Sequence, residues 1–135
     1  MPPAVGRAAC SVPSAPPPLP RALFDAIRQI ESSGDDRAVG DGGKSRGPYQ
    51  IQRAYWREAV VGTDAAGWRY DTHVWDRDRA EYVVWLHWEK VCPAALWAWN
   101  VELLVRCHRL PGNPWRQDNA RYWRKVQDAM KRVPR

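Results

Sequence analysis

IESSGDDRAVGDGGKSRGPYQI, residues 30–51, sets one glutamate at the end of an apolar helical pattern and follows it with a glycine-rich polar turn segment. Upstream, Leu23, Ile27 and Ile30 recur at helical spacing with Phe24 beside them, so residues 20–32 read as an amphipathic helix. Pro20 suits its first turn, and Gly34 suits its C-terminal cap. Glu31 falls on the last turn, on the side of Ile27 at i−4 and Phe24 at i−7, so its carboxyl borders the apolar stripe and is expected to be partly dried. Residues 35–46 carry Gly and Asp turn formers and Ser45, which predicts two short strands joined by a turn. Gly47-Pro48-Tyr49-Gln50-Ile51 reads as a further strand-like run.

A carboxylic acid held on a helix against a small hairpin fits cleavage of a glycosidic bond. That reaction needs a proton donor at the leaving oxygen and a second group to stabilise or trap the cationic sugar. An ordinary glutamate is ionised at neutral pH, so a donor of this kind must be sheltered from water. Glu31 is the donor candidate; the alternative is a surface carboxylate paired with Arg28 or Arg37.

Glu31-Ser32-Ser33-Gly34, then Asp41 to Ile51, then Ala54-Tyr55-Trp56, resembles the invertebrate-type lysozymes and their bacterial relatives. The Glu-Ser and Gly-x-x-Gln-Ile pieces also resemble soluble lytic transglycosylases. The similarity spans roughly residues 20–130 and is most specific over 27–57. It implies a lysozyme-like α+β fold, mainly helical with a small β-hairpin, acting on peptidoglycan or a related amino-sugar polymer. By the same resemblance Asp41 is the nucleophile or electrostatic stabiliser, although its spacing to Gly47 is one residue shorter than the family pattern and Asp-Gly-Gly is also an ordinary turn. Gln50 would bond the acetamido sugar and Tyr49 would line the groove, with Ser33 and Ser45 adding hydroxyls. The alternative packs the Tyr49 ring inside and uses Gln50 at a helix start. The family's later His-Asn-Gly-Gly-like loop is altered here: His108 is in place, but His108 to Trp115 lacks the asparagine and paired glycines. His108 is therefore either a remaining substrate contact or a structural histidine.

The rest of the chain reads as helices. Gln52–Val61 presents Tyr55 and Ala59 on one side, and Asp71 or Thr72 is a candidate cap after the loop bearing Gly62, Gly67 and Trp68. Asp76–Val91 is a longer helix with Ala80, Val83, Val84, Leu86 and Trp88 supplying apolar surface. Pro93 opens a short helix through Ala98, Asn100 caps Val101–His108, and Asp118 or Asn119 caps a last helix with Tyr122, Trp123, Val126 and Met130 on one face. Residues 1–19 hold six of the twelve prolines and read as a linker or disordered arm, which leaves 20–133 as one domain.

Composition narrows the function classes. No apolar run approaches the ~20 residues of a membrane span, and Pro2, Pro3, Gly6 and Arg7 interrupt any secretory apolar core. An extracellular or wall-associated site is expected from the substrate alone. The net charge of +6 favours anionic partners, wall polymer before nucleic acid. The last helix, with Arg121, Arg124, Lys125, Lys131 and Arg132, motivates a nucleic-acid reading, but no recognition motif accompanies it. Three cysteines give neither a disulfide scaffold nor zinc spacing, so Cys92 and Cys107 are expected to be free and packed, with pairing open in an oxidising compartment. No metal or cofactor is expected, and the chain is expected to act as a monomer. Nine tryptophans against one phenylalanine predict an aromatic core, with some indoles left to line a groove. The leading expectation is a muramidase-like glycosidase or lytic transglycosylase. The alternative is a lysozyme-like module that grips wall sugar without cutting it.

Overall fold

The computed structural model describes residues 21–132. The proline-rich arm read over residues 1–19 and the Pro20 helix start lie outside the described residues. Seven α-helices and one small hairpin follow in chain order among the described residues: α1 (Arg21–Ser32), β1 (Val39–Gly40), β2 (Ser45–Arg46), α2 (Arg53–Val60), α3 (Tyr70–His73), α4 (Arg77–Val91), α5 (Pro93–Ala98), α6 (Val101–Arg109) and α7 (Gln117–Arg132). The chain is mainly α with a small β-hairpin, as the sequence predicts.

α1 ends where its sequence says it should. Ser33 and Gly34 both take left-handed backbone, at φ 55° and 81°, which turns the chain out of the helix. β1 and β2 pair antiparallel, Val39 opposite Arg46 and Gly40 opposite Ser45, across a 3-10 turn at Asp41–Gly43. The run from Gly47 to Ile51 is not a strand. Gly47 (φ 82°) and Gln50 (φ 52°) curl it into a turn closed by one isolated bridge, Arg46 to Ile51.

One predicted N-cap, Asn100, is realised, and Asp76, read only as a helix start, caps as well. Asp76 accepts from the backbone N–H groups of Asp78 and Arg79 at 3.0 and 3.2 Å, and Asn100 accepts from that of Leu103 at 3.1 Å. Others are not. Asp71 and Thr72 lie inside the single turn of α3, because that helix begins one residue earlier, at Tyr70. Asp118 and Asn119 lie inside the first turn of α7. Asn119 instead spans two segments, donating through Nδ2 to the carbonyls of Arg106 (3.1 Å) and Pro114 (2.8 Å).

The core forms between α1, α4, α6 and α7 around Leu23, Ile27, Trp88, Leu104 and Val126, all fully buried. α1 packs on α7, α2 on α4, and α6 on both α4 and α7. Trp56, Trp85 and Trp88 are buried, and Trp68, Trp75 and Trp123 pack against the core. Trp97, Trp99 and Trp115 are exposed, and Arg106 lies over the Trp115 ring at 4.3 Å. Among the described residues no helix is long and apolar enough to cross a membrane.

Candidate active site

Three elements meet at the end of α1. The last turn of α1 carries Glu31, and Ser32 beside it donates its hydroxyl to the carbonyls of Arg28 and Pro48, both at 2.9 Å. That bond ties the helix end to the turn after the hairpin. The turn is pressed against the chain before α4: a Cβ at Gly47 would lie 2.2 Å from the Val74 carbonyl oxygen, so only glycine fits. Packing of α7 on α1 brings in Tyr122, and α6 brings in His108.

Tyr122 donates its hydroxyl to Glu31 Oε2 at 2.6 Å, and His108 Nε2 stands 3.4 Å from the same oxygen. The Glu31 side chain keeps 18% of its surface exposed, against 3% for His108. No hydrogen bond among the described residues engages Oε1. Arg28 bonds Asp25 instead, at 2.6 Å, and Arg37 lies over the Trp75 ring, so neither arginine takes the Glu31 carboxylate.

The hydrogen-bond pattern orders the protons. His108 Nε2 faces the Tyr49 carbonyl at 3.2 Å, which can only accept, so Nε2 carries hydrogen. In the neutral ring Nδ1 then accepts from the Tyr55 hydroxyl at 2.8 Å. Burial, reinforced by the Glu31 charge, pushes the hydroxyls of Tyr55 and Tyr122 well above the ordinary tyrosine range. Both therefore remain O–H donors throughout the working pH range. Tyr55 stacks on His87, centroids 3.9 Å apart, and His87 Nε2 donates to the Cys107 carbonyl at 3.0 Å. Burial holds His87 down to about 4, so it is neutral at pH 7.

The other residues singled out by sequence fall in different places. Asp41 is exposed in the 3-10 turn and accepts a short hydrogen bond from the buried Ser45 hydroxyl. Ser33 is exposed just past the end of α1. Tyr49 does not line a groove: its ring is 0% exposed, edge-on to Phe24, and its hydroxyl donates to Glu81 at 3.3 Å. Its part in the site is the carbonyl that orients His108. The Gln50 amide N–H groups are taken by the carbonyls of Ala38 (3.1 Å) and Gly47 (3.0 Å), so Gln50 braces the hairpin rather than presenting its amide outward or starting a helix. His108 sits against the carboxylate rather than in an open loop.

Tyr122, Tyr55 and His87 were not singled out as site residues by the sequence reading. The signal for the tyrosines is general, since a phenol on a packed face needs a partner. Cys92 and Cys107 are free and buried. Among the described residues no three or more His, Cys, Asp or Glu side chains converge as metal ligands. No protein-family model matches this chain, and neither a curated protein nor a solved structure is significantly similar to it.

Proposed function

We propose that the protein is a glycosidase of the lysozyme or lytic transglycosylase type, cleaving an amino-sugar polymer such as peptidoglycan with Glu31 as the general acid. One observation carries the reading: a half-sheltered carboxyl with one oxygen fixed by neighbours and the other left open. Oε1 delivers the proton to the glycosidic oxygen as the C–O bond breaks. The negative charge that remains is held at Oε2 by the Tyr122 hydroxyl, a donor already in place before the reaction, with His108 Nε2 standing 3.4 Å away. Tyr55 and the Tyr49 carbonyl keep the His108 ring in the tautomer that carries hydrogen on Nε2, beside the carboxyl. Asp41, bonded to Ser45, is the candidate for the second group and favours hydrolysis over transglycosylation.

Clearing of a suspension of purified cell walls tests this. The wild type should clear the suspension, and Glu31→Gln, which cannot supply a proton, should lose at least about a hundredfold in rate. Clearing that survives the substitution removes Glu31 from the mechanism. The mass of the released fragments separates the two chemistries, since hydrolysis leaves a reducing end and transglycosylation an anhydro end.

A second reading, a wall-binding module without catalysis, draws on the inward commitment of the Tyr49 ring and the Gln50 amide. Wall sedimentation of a wild type that binds without clearing would favour it.

A further inference from the structure

The two sides of α7 meet different surroundings. Tyr122, Val126 and Ala129 are buried against the core, with Trp123 and Met130 half-buried beside them. On the opposite side Arg121, Arg124, Lys125, Asp128, Lys131 and Arg132 are all exposed. At 3.6 residues per turn these positions fall within about 120° of arc, so they form one stripe along the helix.

The stripe is cationic and unanswered. Five of its six side chains are positive, and among the described residues none of the five makes a hydrogen bond, ion pair or ring contact through its side chain. Several surface arginines elsewhere are matched: Asp71 takes Arg46 and Arg53, Asp36 takes Arg77, Asp76 takes Arg79, and Asp118 takes Arg116. The stripe's own acid, Asp128, makes no ion pair among the described residues. Five cations less one carboxylate leave +4 on this face, out of +6 for the whole chain. The excess charge is therefore directional, and it steers a polyanion to one side of one helix. Because the other side of α7 is locked into the core, the array is held in place before any partner arrives.

We propose that the outer face of α7 binds double-stranded DNA through its phosphates, without regard to sequence. A duplex carries one charge about every 1.7 Å, and the stripe runs for about 16 Å, the length of roughly five base pairs. Arginine and lysine contacts to phosphate hold a duplex in place and read no bases. A lipid surface fits less well, because the stripe offers no apolar side chain to enter a bilayer and the apolar side of the helix is taken up by the core. Tyr122, the residue of α7 that reaches Glu31, lies on the buried side, so this inference does not rest on the acid chemistry.

Fluorescence anisotropy of a labelled DNA duplex of mixed sequence, titrated with the full chain across a range of salt concentrations, tests it. The logarithm of the affinity should fall with the logarithm of salt at a slope of about −3 to −4, as roughly three to five cations displace counterions. Arg121→Gln combined with Arg124→Gln and Lys125→Gln should weaken binding at low salt by about tenfold or more and flatten the slope by about 2 to 3. Arg53→Gln combined with Arg77→Gln and Arg79→Gln removes the same charge from matched positions and should change the affinity far less. Asp128→Asn should tighten binding, a gain that loss of folding cannot produce. Glu31→Gln should bind as the wild type does. Absence of salt-dependent binding, equal weakening by the two triple substitutions, or no gain from Asp128→Asn overturns the proposal. Stripe-dependent binding to phosphatidylglycerol vesicles without binding to the duplex assigns the face to lipid and overturns it as well.

Discussion

At the residue scale, Tyr122 shows how a core position becomes part of a site. Its ring packs between α1 and α7 while its hydroxyl reaches Glu31 Oε2 at 2.6 Å. Tyr122→Phe keeps the packing and removes the donor. Because hydrogen bonds to charged groups contribute about 1.5–3 kcal/mol, kcat for wall clearing should fall about tenfold to a hundredfold with KM nearly unchanged. His87 is the second case, a buried imidazole that the proposed chemistry does not use directly. Its folded-state value of about 4 lies below the ordinary 6.5 because burial disfavours the imidazolium, an effect only partly offset by the bond to the Cys107 carbonyl. The stability tied to this shift is present above pH 6.5. It is lost as the pH falls from about 6.5 to about 4, where the unfolded chain takes up a proton that the folded chain refuses. The loss is about 3 kcal/mol. Urea unfolding at pH 7 and pH 4.5 should show it, and His87→Gln should flatten that part of the dependence.

At the scale of elements, the hairpin depends on one close approach. Gly47 combines a φ of 82° with a Cβ position 2.2 Å from the Val74 oxygen. Gly47→Ala should therefore cost about 2–4 kcal/mol, read as a lowered denaturation midpoint. Wall clearing should drop with it, since the same turn carries the Tyr49 carbonyl that orients His108. The sequence reads Gly47–Ile51 as extended and gives no sign of the turn that Gly47 makes. The left-handed backbone at Gln50 has no local signature. It is held by side-chain bonds to Ala38 and Gly47, made only once the hairpin has closed.

At the scale of the whole molecule, the candidate site exists because helices distant in sequence dock on one another. Glu31 and Tyr122 are separated by 91 positions and meet through the packing of α1 on α7. Val126, one turn beyond Tyr122 and fully buried, is part of that packing. Val126→Ala should destabilise the fold by about 2 kcal/mol. It should also lower clearing at temperatures where the protein is still folded, because a loosened α7 no longer fixes the Tyr122 hydroxyl. Far-UV circular dichroism measured alongside activity separates the two effects.

The chain's local pattern gives most of the helices, since apolar spacing and caps such as Asn100 act within a few residues. It also placed Glu31 on the sheltered edge of α1, because helical periodicity assigns a face without knowledge of any partner. Which groups surround that carboxyl depends on how distant helices dock. Hydrogen-bond partners are chosen by the docking of α6 and α7, and the Tyr49 ring is drawn inward by the apolar contact waiting for it beside Phe24. Local pattern fixes the direction in which a side chain points, whereas contact at ångström range is a property of the packed whole.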